Sequence, residues 1–225
     1  MNISPLNKRR LSNFKSNKRG WFSFWIFSFL FIISIFADFI ANDKPLIVKY
    51  NQNYYFPIIY NYSETVFGGD FETEADYRDP YVKKLIQNQG WIIMPIIPFT
   101  YNTIIRDLEI PAPSPPSSKN WLGTDDQARD VLARLIYGFR ISILFGFTLT
   151  FFSMLIGVSA GAIQGYFGGK IDLFFQRFME VWSAIPTLYV LIILASIVQP
   201  NFWWLLIILL LFSWMGYVGV VRAEF

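Results

Sequence analysis

The chain has 225 residues, of which 54% are hydrophobic and 16% charged, with 8 Trp, 12 Tyr and 24 Phe. Soluble domains carry charge on about a quarter of their residues, so this composition argues against a disordered chain, a nucleic-acid binder and an ordinary soluble enzyme. There is no Cys and no His, which excludes disulfides, thiolate or imidazole metal ligands, a Cys nucleophile and a Ser-His triad within the chain.

The formal net charge of +3 is unevenly placed. Residues 1–20 hold six bases (Lys8, Arg9, Arg10, Lys15, Lys18 and Arg19) and no acid, leaving 13 bases and 16 acids elsewhere. Short basic flanks of an apolar run stay in the cytoplasm, so the tail reads as a topology signal. The charge-free run from Trp21 to Ala37 follows. With Phe39 to Ala41 beyond Asp38 it reaches about 20 residues, enough to cross a bilayer core. A signal-peptide core is shorter, about 7–15 residues, with small residues before the cleavage site. Phe39, two before Ala41, spoils that pattern. An uncleaved first span is predicted, N-terminus inside, with Trp21 and Trp25 near the inner interface.

Residues 42–120 are different material, with 7 bases, 9 acids, many Tyr and Asn, and repeated prolines. The run Trp91 to Phe99 is too short and too broken by proline to span. Pro111 to Ser118 reads as an extended linker of polyproline type. Extended or β-rich packing of aromatics, outside the cytoplasm, is expected here rather than a catalytic domain.

An interfacial helix is predicted to start at a capping box of Thr124 and Gln127. Asp125 and Asp126 suit its positive end, and Asp130 precedes Arg134 by one turn as an ion pair. Ile141 to Gly169 carries no charge, and a second span is expected over Ile141 to about Ile163. Lys170, Asp172, Arg177 and Glu180 mark the next stretch as interfacial, since each buried charge costs about 2.5–3.5 kcal/mol at the bilayer centre. Val181 to Val221 is again charge-free, 41 residues long. A turn at Gln199-Pro200-Asn201 splits it into spans over about 178–198 and 202–221.

Ser153, Gly157, Gly161, Gly165 and Gly169 recur every four residues, which on one helix makes a ridge for close approach of another backbone. Pro186 is a candidate kink in the third span. Arg177 and Glu180 at that span's end read as snorkelling side chains before they read as a transport path. Gly157 to Gly161 matches a nucleophile elbow by letter, but it sits mid-span with no strand before it and no His to serve it. Gly169-Lys170 lacks the first Gly and the Ser/Thr of a phosphate loop. Catalytic, cofactor and metal residues are therefore expected to be none, and a substrate path is not assigned.

Asn120 to Gly146, NWLGTDDQARDVLARLIYGFRISILFG, resembles the opening of the transmembrane domain in C-type permeases of bacterial dipeptide and oligopeptide ABC importers. Gly161 to Leu188 and the final FSWMGYVGVVRAEF continue the likeness in order. Ala128 and Ala133 stand where that family usually has Gly and Ser. Both substitutions are helix-compatible and expected to change little. Ile40 to Val82 is similar to Yej-type permeases, associated with microcin C and oligopeptide import. The resemblance implies an all-α multi-pass protein with the type I ABC importer permease fold, incomplete at about four transmembrane helices, with an extracytoplasmic segment after the first. It divides the chain into a basic tail and first helix (1–41), a periplasmic segment with the interfacial helix (42–136), and a partial transmembrane domain (137–225). The family's cytoplasmic EAA loop and last two helices would follow Phe225, so a truncated product is expected. The implied function is inner-membrane import of peptides with ATP hydrolysis left to partners. Those partners are a second permease, cytoplasmic ABC ATPases and a periplasmic peptide-binding protein, besides lipid. The alternative is a membrane-anchored assembly protein that uses 42–120 to bind an external partner.

Overall fold

A computed structural model describes residues 4–199 and 201–225. Pro200, in the turn expected between the last two spans, lies outside the described residues. The chain divides into two compact units, Met1–Arg140 and Ile141–Phe225.

The first unit begins with α1 (Pro5–Ser16) and α2 (Lys18–Ile35), followed by the single turn α3 (Ala37–Ile40). Asn17 ends one helix and caps the next, its side-chain oxygen accepting from the Gly20 N–H at 3.2 Å. A small sheet follows within residues 42–120, where extended or β-rich packing is expected, in a chain that is otherwise mostly helical. Strands β1 (Ile47–Tyr50), β2 (Asn53–Tyr55) and β3 (Gly90–Ile93) pair antiparallel in the order β2-β1-β3. Asn51 and Gln52 turn the β1–β2 hairpin with φ of 47° and 63°, the backbone that a two-residue hairpin needs for its strands to keep their twist. Helix α4 (Pro80–Gln89) is capped by Asp79 and lays Val82 and Ile86 into the core. Phe67, fully buried, is the hub of that core. Tyr50, Tyr55 and Tyr77 meet its ring edge-on at 5.7, 5.3 and 5.8 Å, the geometry that aromatic quadrupoles favour.

The segment Pro111 to Ser118, expected as an extended linker of polyproline type, is hydrogen-bonded to Thr124. Thr124 Oγ1 accepts from the Ser114 N–H at 2.9 Å, and the Thr124 N–H donates to the Ser114 carbonyl at 3.0 Å.

Helix α5 (Val131–Phe167) carries the chain through the boundary between the units. The second unit adds α6 (Gly169–Ser183), α7 (Thr187–Ile197), α8 (Phe202–Ser213) and α9 (Met215–Arg222). Lys18–Ile35, Val131–Phe167 and Phe202–Arg222 are each long and apolar enough to cross a membrane. Helices α6 and α7 together supply a fourth candidate, bent by 64°. The stretch expected as the third span is thus two helices, α6 and α7, and not one kinked helix. Pro186 sits before the first turn of α7, where its ring bars the preceding residues from continuing α6.

Candidate functional site: a glycine seam and its polar ends

In the second unit, one face of α5 is buried along Ser153, Gly157, Ala160, Gly161 and Gln164. These positions follow the helical period, and their partner is α9 with the residues flanking it. A Cβ on Gly157 would strike the Trp214 carbonyl, and one on Gly161 would lie 2.8 Å from the Val218 carbonyl. One on Gly165 would lie 2.5 Å from Phe225 Cβ and 3.0 Å from the Arg222 carbonyl. Only glycine lets the two backbones come this close. Gly169 is not part of this face. Gly168 and Gly169 both take positive φ, 57° and 52°, which ends α5 and redirects the chain into α6.

Contacts along the seam climb together, Ser153 with Ser213, Gly157 with Tyr217, Gly161 with Val221 and Gly165 with Phe225. Helices α5 and α9 therefore run parallel. Two parallel helices can both cross a bilayer only if the chain returns between them. The bent pair α6–α7 is the segment available for that return.

Polar groups close the seam at both ends. The Ser153 and Ser213 hydroxyls share a hydrogen bond. Arg222 holds Asp172 through two nitrogens, Nε and Nη2, each at 2.8 Å. Gln176 adds a donor to the same carboxylate at 3.1 Å. Trp182 Nε1 donates to the Leu211 carbonyl at 3.0 Å, and its ring stacks between Phe178 and Phe212. Arg177 and Glu180, by contrast, pair with each other at 2.6 Å on exposed surface. Gln164 is fully buried, and neither amide atom has a partner among the described residues.

In the first unit the expected helix cap is replaced. Residues 124–130 form a turn, and α5 begins at Val131. Thr124 has given its hydroxyl to Ser114, and the Gln127 N–H donates to Asp125. The cap is Asp130, buried, whose Oδ1 accepts from the Ala133 N–H at 2.7 Å while Oδ2 accepts from Asn120 at 2.8 Å. With Asp130 so occupied, Arg134 pairs with Asp125 instead, which also takes Arg129 at 2.8 Å. Burial opposes the Asp125 charge, but the Arg129 N–H, its guanidinium and the Gln127 N–H outweigh it and hold the carboxyl down to about 2. Ala128 sits inside this turn at φ 59° and not in a helix. Replacing a glycine by alanine there is therefore not neutral, because a Cβ is strained at positive φ.

A second polar cluster joins α3, just beyond the first span, to α5. Arg140 reaches Asp38 at 2.7 Å and lies over the Tyr137 ring at 5.0 Å. The Tyr137 hydroxyl is 2.9 Å from Asp38 Oδ1 and 2.8 Å from the Ala41 carbonyl. The sequence signal for it was present, since Asp38 is the one charge between Trp21 and Ala41.

Two family models match this chain. Residues 153–225, which hold the seam, match the binding-protein-dependent transport system inner membrane component. Residues 5–68 match the N-terminal transmembrane domain of oligopeptide transport permease C. The inner membrane ABC transporter permease protein YejE of Escherichia coli K12 is 55% identical over 223 residues, 99% of this chain and 65% of that protein. Both family models and this relative make the chain similar to the C-type peptide permeases of ABC importers. The peptidoglycan transport system permease protein YejE of Agrobacterium fabrum is 49% identical over 99% of this chain. The oligopeptide permease OppC of Haemophilus influenzae is 35% identical over 56% of it. The chain spans 65% of the length of each YejE relative. The chain has the type I importer fold and the apolar helices of a multi-pass inner-membrane protein, and its relatives are membrane transport components.

Proposed function

We propose that this permease imports oligopeptides or peptide-like compounds of the microcin C type. In this reading it pairs with a second permease, receives substrate from a periplasmic peptide-binding protein and is driven by cytoplasmic ATPases. The observation that carries the reading is the 55% identity across 99% of the chain, which includes the aromatic sheet between the first two spans. The three segments 1–41, 42–136 and 137–225 are proposed as tail with first span, external segment, and transmembrane part. Alternating access would use the parallel α5–α9 pair as one rigid element, with the α6–α7 bend beside it.

A chimera tests this. Residues 1–225 replace the matching part of the E. coli relative in a strain lacking it. Uptake of a labelled oligopeptide and sensitivity to microcin C are expected to return. A chimera that inserts and accumulates normally but restores neither overturns the reading. Orientation is tested separately, using the natural absence of cysteine. A membrane-impermeant maleimide on intact spheroplasts should label Ser118→Cys and spare Ser12→Cys. The reverse pattern would contradict a cytoplasmic N-terminus.

A further inference from the structure

Helix α1 is a cationic helix with no acidic partner. Every residue from Ser4 to Arg19 is exposed. Its bases Lys8, Arg9, Arg10 and Lys15, with Lys18 and Arg19 beyond, enter no ion pair among the described residues. Leu6, Leu11 and Phe14 are exposed beside them.

The fold fixes where this helix lies. Phe14 meets Trp21 edge-on at 5.7 Å and Phe24 at 5.8 Å. In a straight helix, residues ten apart are separated by about 15 Å of rise. The contact between Phe14 and Phe24 exists because the chain turns at Asn17, whose ψ of 86° is not helical. Helix α1 therefore folds back beside the first turns of α2. The last turn of α1 lies at the level of Trp21 and Trp25, which pack on each other at 5.5 Å. Lys15 sits over the Trp21 ring at 5.6 Å. Tryptophan at the end of a span marks the headgroup layer. The last turn of the helix cannot leave that level without breaking these contacts of Phe14 and Lys15.

We propose that α1 docks on anionic phospholipid headgroups, its bases among the phosphates and Leu6, Leu11 and Phe14 turned toward the acyl boundary. Six bases with no acid nearby match a negative surface, to which each base adds on the order of 1 kcal/mol of attraction. An acidic protein partner would have to enter the headgroup layer to reach the same face. The proposal rests on α2 crossing a membrane and not on what the permease carries, so failure of the transport reading leaves it standing.

The test uses the full chain with one cysteine, Leu11→Cys, carrying an environment-sensitive fluorophore, reconstituted in vesicles. One set is phosphatidylcholine, the other contains about a third phosphatidylglycerol. In the anionic vesicles the emission should shift to the blue and a water-borne quencher should lose roughly three-fold or more of its access, given that attraction. Half-molar salt should reverse most of this. Lys8→Gln, Arg9→Gln, Arg10→Gln and Lys15→Gln combined should abolish the difference between lipids. If that variant fails to insert, the salt titration on the unaltered helix decides alone. A probe equally wet in both lipids, equally protected in both, or protected only when the partner ATPases are added overturns the proposal.

Discussion

The sheet region and the helical unit use the same residue types in opposite ways. Phe67 is fully buried at the centre of the sheet region, while Phe151 in α5 is 57% exposed and Val181 in α6 73%. In water such exposure would be a liability. In lipid it is the solvent-facing surface, and burying it against another helix gains little. Specificity in the helical unit thus falls to what lipid cannot supply, namely close backbone approach at glycine and paired polar groups. The sheet region is organised by large side chains, and the helical unit by the smallest.

The largest expected effect separates the two regimes directly. Phe67→Ala should destabilise the sheet region by about 3–5 kcal/mol, seen as faster hydrogen exchange at the β1 amides in the full chain. Phe151→Ala should leave exchange in α5 nearly unchanged, and equal effects would erase the distinction. The complementary change is Gly161→Ile, which adds bulk where the Val218 carbonyl already stands close. It should cost about 1–3 kcal/mol and lower the midpoint of thermal unfolding in detergent, though a surface position in α5 would welcome the same residue.

Smaller effects come from the turn that leads into α5. Ala128→Gly relieves a left-handed strain of about 1–2 kcal/mol and gives back about 0.4–1 kcal/mol of unfolded-state entropy. A net stabilisation of a few tenths to about 1 kcal/mol is expected from those two terms, read as slower amide exchange over residues 123–131. The smallest effect is with pH. The carboxyl of Asp125 is held at about 2, below its ordinary value of 3.8. Its folded form is the stronger acid, so its contribution is complete above that ordinary value and is lost as pH falls through about 2. The Gln127 and Arg129 amides should stay protected at pH 4 and open first below pH 3. Opening already at pH 4 would show that the carboxyl is not held this way.

The same contrast governs what the sequence discloses. Charge-free runs announce spans because lipid sets their length, and the four-residue recurrence of Ser153, Gly157, Gly161 and Gly165 is visible for the same reason. The partner of that ridge is not visible, because α9 lies about 60 residues away and nothing in its own spacing points to α5. Gly169 continues the spacing but opens α6 beyond the break at Gly168, a distinction that depends on φ and not on residue type. Thr124 and Gln127 satisfy the letters of a capping box, yet α5 starts at Val131. Ser114 competes for the Thr124 hydroxyl, and that contact is not local. Asp130, the residue directly before the first apolar position of the helix, carried the correct signal. The small sheet was legible as aromatic, β-rich material, but its strand order required the return of β3 from beyond α4.

The parallel seam of α5 and α9 is tested most directly by disulfide trapping in membranes. Ser153→Cys with Ser213→Cys should form a cross-link rapidly under mild oxidation, in a chain with no other cysteine. Leu155→Cys, on the exposed face of the same helix, should not cross-link with Ser213→Cys. Equal yields from the two pairs, or none from the first, would contradict the account.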